Sequence, residues 1–468
     1  MKVLLINPIF ERRIGKGKIS TILPPLGLGY LAAVLRENKI DVRILDMTAL
    51  NLSISKVLEY VGNYKPDVIG FSITTPLIYQ SFVIAEKIRN HYSEIKIVFG
   101  GPHPTILPGE SLKKDFVDFV VIGEGEITFL ELVKELEKKN PNFKKINGLA
   151  FKTKEKIIKN KERERIKNFD ELPFPAVDLL PLEKYVSADS KYKKFMTILT
   201  SRGCPGRCTY CNKLIFGYTC YMRSAENIIK EIEILNKKYG YKEFHIVDDL
   251  FTNNRERVVD FCNLILKKNL KIKWKCGNGV RVNTIDLELL KLMKRAGCYS
   301  LSYGIESGNQ DILNKMRKGQ TLEQCKNAVK LTKQVGMECI GFFMFGNIGE
   351  NRKTMEETIE FAKSLDLDIA QFHILVPYPG TESRRIIEEE GKILVDGWKN
   401  YDNLAGKAIF EHGELTKELM EKMHKKAYKE FYLRWRFIIR KILGIRTFQE
   451  FKNNFEGFLN LLKYWNLK

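Results

Sequence analysis

Cysteine is absent from residues 1–203 and again from residues 340–468, so every thiol of this 468-residue chain falls between Cys204 and Cys339. The nine cysteines are an odd number, and only three of them sit close together. Both facts speak against a disulfide framework and for a reducing, cytoplasmic setting in which thiols stay free or bind metal. Long apolar runs are missing too: none reaches the roughly 18 residues that a spanning helix requires. The opening MKVLLINPIF is short in its apolar part and lacks a small-residue cleavage site, so it reads as a first strand and not as a leader. Acidic residues are in deficit, 57 against 78 Lys and Arg, which leaves a formal charge of +21. Such a surplus attracts anionic partners in principle. For most of the length it reads as a solvated, Lys-rich surface, and no nucleic acid is expected.

What is present is a rhythm of short apolar runs and amphipathic stretches. In residues 1–150, VLLIN, VRILDM, VIGFSIT, IKIVFGG and VVIGEGE alternate with helical patterns such as PPLGLGYLAAVLRE and ITFLELVKELEKK. That alternation predicts a doubly wound α/β domain with a parallel sheet covered on both faces. Ligands of such folds lie at the carboxyl ends of the strands. There the chain places FSITTP, GGPHPT and IGEGE, with Ser72, Gly100, Gly101, His103 and Glu124 as candidate contacts. Residues 151–190 read as a connector: eight basic and three acidic residues over 151–168, as a solvated hairpin, then Pro173, Pro175 and Pro181. From 191 to 385 the rhythm restarts with six apolar runs, FMTILTSRG, FHIVDD, KWKCGNG, YSLSYGIES, CIGFFMFG and AQFHILVP. Six βα units predict an open, partial (β/α)6 TIM-like barrel with its chemistry at the carboxyl ends of the strands. Residues 386–468 read as helical. Their end carries eight Lys and Arg against two Glu over 431–468, with Trp435 and Trp465. It suits either a helix packed on the barrel or a peripheral contact with a membrane interface.

The stretch TSRGCPGRCTYCNK, residues 200–213, follows directly on the first strand of the second unit. Its Cys204, Cys208 and Cys211 bind soft metals as thiolates. Structural zinc wants four protein ligands; Cys220 is the one further thiol nearby, and no His is close. An iron–sulfur cluster fits better. Three thiolates hold three corners of a four-iron cube and leave one iron open, which points to catalysis.

A C-x-x-x-C-x-x-C loop with an aromatic, Tyr210, before the third Cys resembles the signature of the radical S-adenosylmethionine (SAM) superfamily. The resemblance implies a [4Fe-4S] cluster whose open iron chelates SAM, and a 5′-deoxyadenosyl radical that removes hydrogen from an unactivated carbon. It implies further SAM contacts in order along the barrel: Asp248 or Asp249 in IVDDLFTNN, where the family's common Gly-Gly-Glu is missing, Glu306 and Ser307 in YGIESG, and Gly346 in GFFMFGNIGE. PYPGTE, 377–382, resembles the closing strand of many members.

Residues 1–150 resemble the Rossmann-like cobalamin-binding domain that precedes the barrel in one subgroup of class B methyltransferases. The His motif that ligates cobalt in many such domains is replaced here by Asn7-Pro-Ile-Phe-Glu-Arg12. Cysteine-free flanks set the chain apart from methylthiotransferases and from members with auxiliary clusters, so a single cluster is expected. The resemblance implies cobalamin-dependent methylation of an unactivated carbon in a small molecule or lipid, with electrons from a ferredoxin or flavodoxin. Oxidative cyclisation or bond formation on a tetrapyrrole or lipid is the alternative chemistry. A non-catalytic cobalamin or nucleic-acid binding protein with a structural cluster is the alternative of another class.

Overall fold

Adjacent residues of the first strand, β1 (Lys2–Asn7), go to opposite sides. Val3 and Leu5 pack with Ala32, Leu132 and Val133, whereas Leu4 and Ile6 pack with Val57, Ile84 and Ile88. A strand apolar on both faces needs cover on both, which helices supply in parallel sheets. The computed structural model, which describes residues 1–9, 21–402, 406–435 and 437–439, shows this arrangement.

The first sheet continues with β2 (Asp41–Asp46), β3 (Val68–Ser72), β4 (Lys96–Gly100) and β5 (Phe119–Val121), and closes with the hairpin β6 (Leu149–Lys152) and β7 (Ile157–Lys159). Its order is β2-β1-β3-β4-β5-β6-β7, parallel up to β5 and antiparallel beyond. The expected hairpin in the basic stretch therefore forms the sheet's edge. The strand order reverses between β1 and β3, and a doubly wound sheet opens a crevice at the carboxyl ends flanking such a point.

A second sheet is built from β8 (Met196–Ile198), β9 (Glu243–Ile246), β10 (Lys273–Val280), β11 (Cys298–Glu306), β12 (Glu338–Phe345) and β13 (Ile369–Ile374). All six are parallel and in chain order, β8 to β13. This is the partial barrel. Register shifts interrupt β10–β11 between Cys276 and Val280, and β11–β12 between Gly304 and Glu306. Bulges of this kind re-aim side chains at barrel rims. A two-residue hairpin, Ser201–Arg202 against Tyr221–Met222, brackets the cysteine loop.

After the barrel, Lys392–Ile393 and Phe410–Glu411 form a short antiparallel pair, and the helix Lys417–Tyr432 covers β13. Tyr432 Oη donates to Ala370 O at 2.8 Å, and Met420, Met423 and Phe431 complete the barrel core. Trp435 is 66% exposed. Trp465 and the basic tail from 440 onward lie outside the described residues. No helix among the described residues is long and apolar enough to cross a membrane.

Candidate cofactor and substrate site

The cysteine loop is held at both ends by the barrel. Asp249 Oδ2 accepts from Gly203 N at 3.0 Å, and Thr209 N donates to Met316 O at 3.1 Å. Cys211 N closes a turn on Cys208 O at 3.1 Å, and Gly206 N donates to Cys204 Sγ at 3.4 Å. The backbone passes close under the sulfurs: a Cβ at Gly206 would lie 3.4 Å from Cys204 Sγ and 3.8 Å from Cys208 Sγ. All three thiols are half-buried. A hydrogen bond shared by Cys208 and Cys211 draws the Cys208 thiol down to about 6, helped by Lys318 and Arg281 although burial opposes it, and pushes the Cys211 thiol up. Thiolates and a loop wrapped close beneath them suit an iron–sulfur cluster.

Facing the loop is Glu306, whose backbone is left-handed at φ 67°. A residue with a Cβ is held there only by its surroundings, and such positions gather at functional sites. The bulge against β12 turns its carboxylate to Lys318 Nζ at 2.7 Å and to the Tyr210 hydroxyl at 3.1 Å, while Lys318 also reaches Tyr210 Oη at 3.0 Å. Burial works against the Lys318 charge, yet Glu306 and the thiols outweigh it and hold its pKa above the ordinary lysine value. Burial and Glu306 push the Tyr210 phenol up, so it stays a neutral donor. Arg281 donates to the carbonyls of Lys318 and Gly319 and fixes that segment.

At the crevice of the first sheet, a cleft of about 940 Å³, counted with its open mouth, runs between the two domains. Gly70, Gly100, Gly101, Gly123 and Gly125 pave it, and Leu31, Val121 and Phe129 make it apolar. Ser72 and Glu124 lie on its rim, and Leu199, Arg202, Ile215 and Phe216 close it from the barrel side. Gly101 has φ 92°, and a Cβ there would fall 2.7 Å from Ile73 N. A side-chain-free floor admits a large flat ligand against the strand ends, which fits the corrin expected from the sequence.

Two further hollows follow, the first sharing lining residues with the cleft and the second with the first. One of about 960 Å³ shares Pro102 and Ile215 with the cleft and adds Thr74, Ile106 and Thr381. The other, about 870 Å³ in the barrel mouth, holds Glu306, Phe342, Met344 and His373. Tyr210 and Tyr378 line both.

Several sequence candidates are turned elsewhere. Asp248 is fully enclosed, accepts from Thr200 N and Ser201 Oγ at 2.6 Å each, and faces Arg257, so it braces the strand end and has no surface for a ligand. Ser307 is buried, accepts from Asn309 N at 3.1 Å and meets Thr358 Oγ1 at 3.2 Å. Gly346, φ 85°, faces the covering helix, where a Cβ would lie 2.8 Å from Met420 Sδ. The His103 ring lies behind the cleft, 3.3 Å from Thr75 Oγ1, 3.4 Å from Glu110 and edge-on to Trp398. Its environment is that of a packed, hydrogen-bonded imidazole. Glu124 reaches the rim but is committed to Arg202 at 2.8 Å and to Ile166 N at 2.8 Å.

Lys318, Arg281 and Arg202 escaped the sequence reading. Arg202, buried, forks to Glu124 and to Glu126 at 2.6 Å and lies 4.6 Å over the Phe169 ring. It ties the residue pair before the cysteine loop to the cleft's rim.

A glycine-paved cleft facing a three-thiol barrel mouth defines an enzyme that works with a corrin and a cluster-bound sulfonium side by side. The comparisons agree: residues 12–133 match the B12 binding domain and residues 198–362 the radical SAM superfamily. The chain is 39% identical to the uncharacterized methyltransferase PH0819 of Pyrococcus horikoshii, over 94% of this chain and 95% of the other. It is 28% identical to the anaerobic magnesium-protoporphyrin IX monomethyl ester cyclase of Rubrivivax gelatinosus, over 94% and 78%. In fold it is like the cobalamin-dependent SAM radical enzyme OxsB solved with aqua-cobalamin and SAM, with TM-score 0.76 and 20% identity over 97% of this chain and 70% of that one. The chain belongs to the B12-binding radical SAM family. Its cofactors are a [4Fe-4S] cluster, SAM and cobalamin.

Proposed function

We propose that this enzyme methylates an unactivated carbon of a small molecule. One observation carries the reading. The glycine-paved cleft and the barrel mouth flank one hollow, which shares Pro102 and Ile215 with the cleft and Tyr210 and Tyr378 with the barrel mouth. A methyl carrier held over Gly100 and Gly101 would lie beside that hollow, on the side away from the barrel mouth. When bound, the cofactors supply an electron, a hydrogen-abstracting radical and a transferable methyl group. The chain supplies placement. Cys204, Cys208 and Cys211 hold the cluster. Lys318 and Glu306, locked together beside it, present one cation and one carboxylate to the zwitterionic end of SAM. Tyr210 stands between the two hollows and limits water access.

Substrate, SAM and enzyme incubated anaerobically with a low-potential one-electron reductant should give a product heavier by one methylene, with two SAM consumed per turnover, one to S-adenosylhomocysteine and one to 5′-deoxyadenosine and methionine. Candidate substrates are best sought by mass spectrometry of host lipid and pigment extracts. A second reading, oxidative cyclisation or bond formation, is favoured by the full-length similarity to the cyclase. A product lighter by two hydrogens, with no S-adenosylhomocysteine, would establish it and end the first. Cytoplasmic location, an electron donor such as ferredoxin or flavodoxin, and membrane contact through the C-terminal tail belong to the same proposal; flotation with anionic vesicles, weakened by salt, tests the last.

A further inference from the structure

The outer side of the cysteine loop carries a feature that the reaction itself does not use. Pro205, Gly206 and Arg207 form one wall of a shallow hollow, and Arg281, Arg317 and Gly319 face them. Three of its lining residues are arginines, and no carboxylate lines it among the described residues. Arg207 and Arg317 are exposed. Arg317 is held upright by a two-pronged pair with Glu382, at 2.8 Å for each contact. An arginine fixed in this way loses little freedom when a second acid arrives.

What lies beneath the hollow gives it meaning. The Cβ position of Gly206 is 3.0 Å from Arg281 Nη1 and 3.4 Å from Cys204 Sγ. The hollow's Gly206 and Arg281 are therefore close neighbours of the first thiol. Tyr210, Glu306 and Lys318, the group proposed to face SAM, bond to one another and line no part of the hollow. Each cleavage of SAM takes one electron, and electron tunnelling falls steeply with distance. The donor must therefore approach where the cluster is nearest to solvent and away from the substrate.

We infer that the Arg207–Arg281–Arg317 hollow is the docking surface for a small acidic electron-transfer protein. The chain's charge of +21 steers such a partner toward it, and the three guanidiniums orient it over Gly206. One electron leaves the partner, which is oxidised, and enters the cluster, which is reduced; no bond or proton is exchanged. The inference rests on the cluster and SAM cleavage, not on methyl transfer.

The test uses anaerobically reconstituted full-length enzyme and reduced flavodoxin as the probe. Arg207→Glu with Arg317→Glu should weaken flavodoxin binding about tenfold or more in biolayer interferometry, and raised salt should weaken the wild type likewise. Cluster reduction by flavodoxin, followed by stopped-flow absorbance, should slow in parallel, while reduction by methyl viologen radical stays unchanged. The milder Arg207→Gln guards against a damaged loop and should weaken binding severalfold at unchanged iron content. Lys154→Glu with Lys156→Glu, on the β6–β7 turn, removes as much charge elsewhere. Equal weakening by that control, or undiminished binding by the arginine variants, overturns the docking site whatever product the enzyme makes.

Discussion

Lys318 Nζ lies 2.7 Å from Oε1 of Glu306, with both side chains about nine-tenths buried, although a helix and a turn separate the two residues in the chain. Breaking one half of such a pair strands the other charge and costs about 3–5 kcal/mol. Lys318→Met should therefore lower the melting temperature clearly. SAM affinity, read by equilibrium dialysis on reconstituted protein, should fall by at least the same direction and sign as stability. A variant that melts lower yet binds SAM as tightly as the wild type would show the pair to be structural alone.

Cys208→Ala should abolish the broad visible absorbance of the reconstituted cluster and reduce 5′-deoxyadenosine formation to background. Circular dichroism should stay unchanged, because the loop's backbone bonds from Gly203 and Thr209 do not involve the thiol. Retained cluster absorbance would displace Cys208 from the ligand set.

Arg202→Lys keeps the charge and loses the fork that grips Glu124 and Glu126 together. A loss of about 1–3 kcal/mol in denaturant unfolding is expected, together with weaker cobalamin retention on gel filtration. Unchanged retention would uncouple the fork from the cleft.

Glu350 is buried behind β12, with one oxygen accepting from Asn347 N at 2.9 Å and the other without a partner. Burial pushes its carboxyl up to about 8. A folded-state value above the unfolded one means that the neutral acid is favoured by folding. Stability is full below the ordinary carboxylate range and is lost as pH rises through about 8. Glu350→Gln removes that loss, so its melting temperature should gain on the wild type as pH goes from about 6 to about 9. Parallel curves would contradict it.

The fold was legible because its strands are apolar on both faces, a pattern that parallel sheets produce and few other structures do. The thiol loop was legible because its three cysteines lie within one turn of chain, so spacing alone carries the geometry. Lys318 was not. It meets Glu306 only because the helix Gln310–Lys315 and the turn after it bring the chain back, and no local pattern marks that return. Arg202 finds its glutamates 78 and 76 residues earlier, across two domains. Asp248 and Asp249 show the converse limit. Two neighbouring acids look alike in a string, yet one points inward to Arg257 and the other to the loop amide of Gly203. Ser307 and Gly346 were placed by family likeness, and local packing claims both.

Between the guanidinium of Arg202 and the first thiol, Cys204, there is a single intervening residue, Gly203. A shift of the corrin-side rim is therefore felt immediately by the iron-side loop. Filling one compartment should stiffen the other, so that hydrogen exchange across 200–211 slows when the corrin alone is loaded.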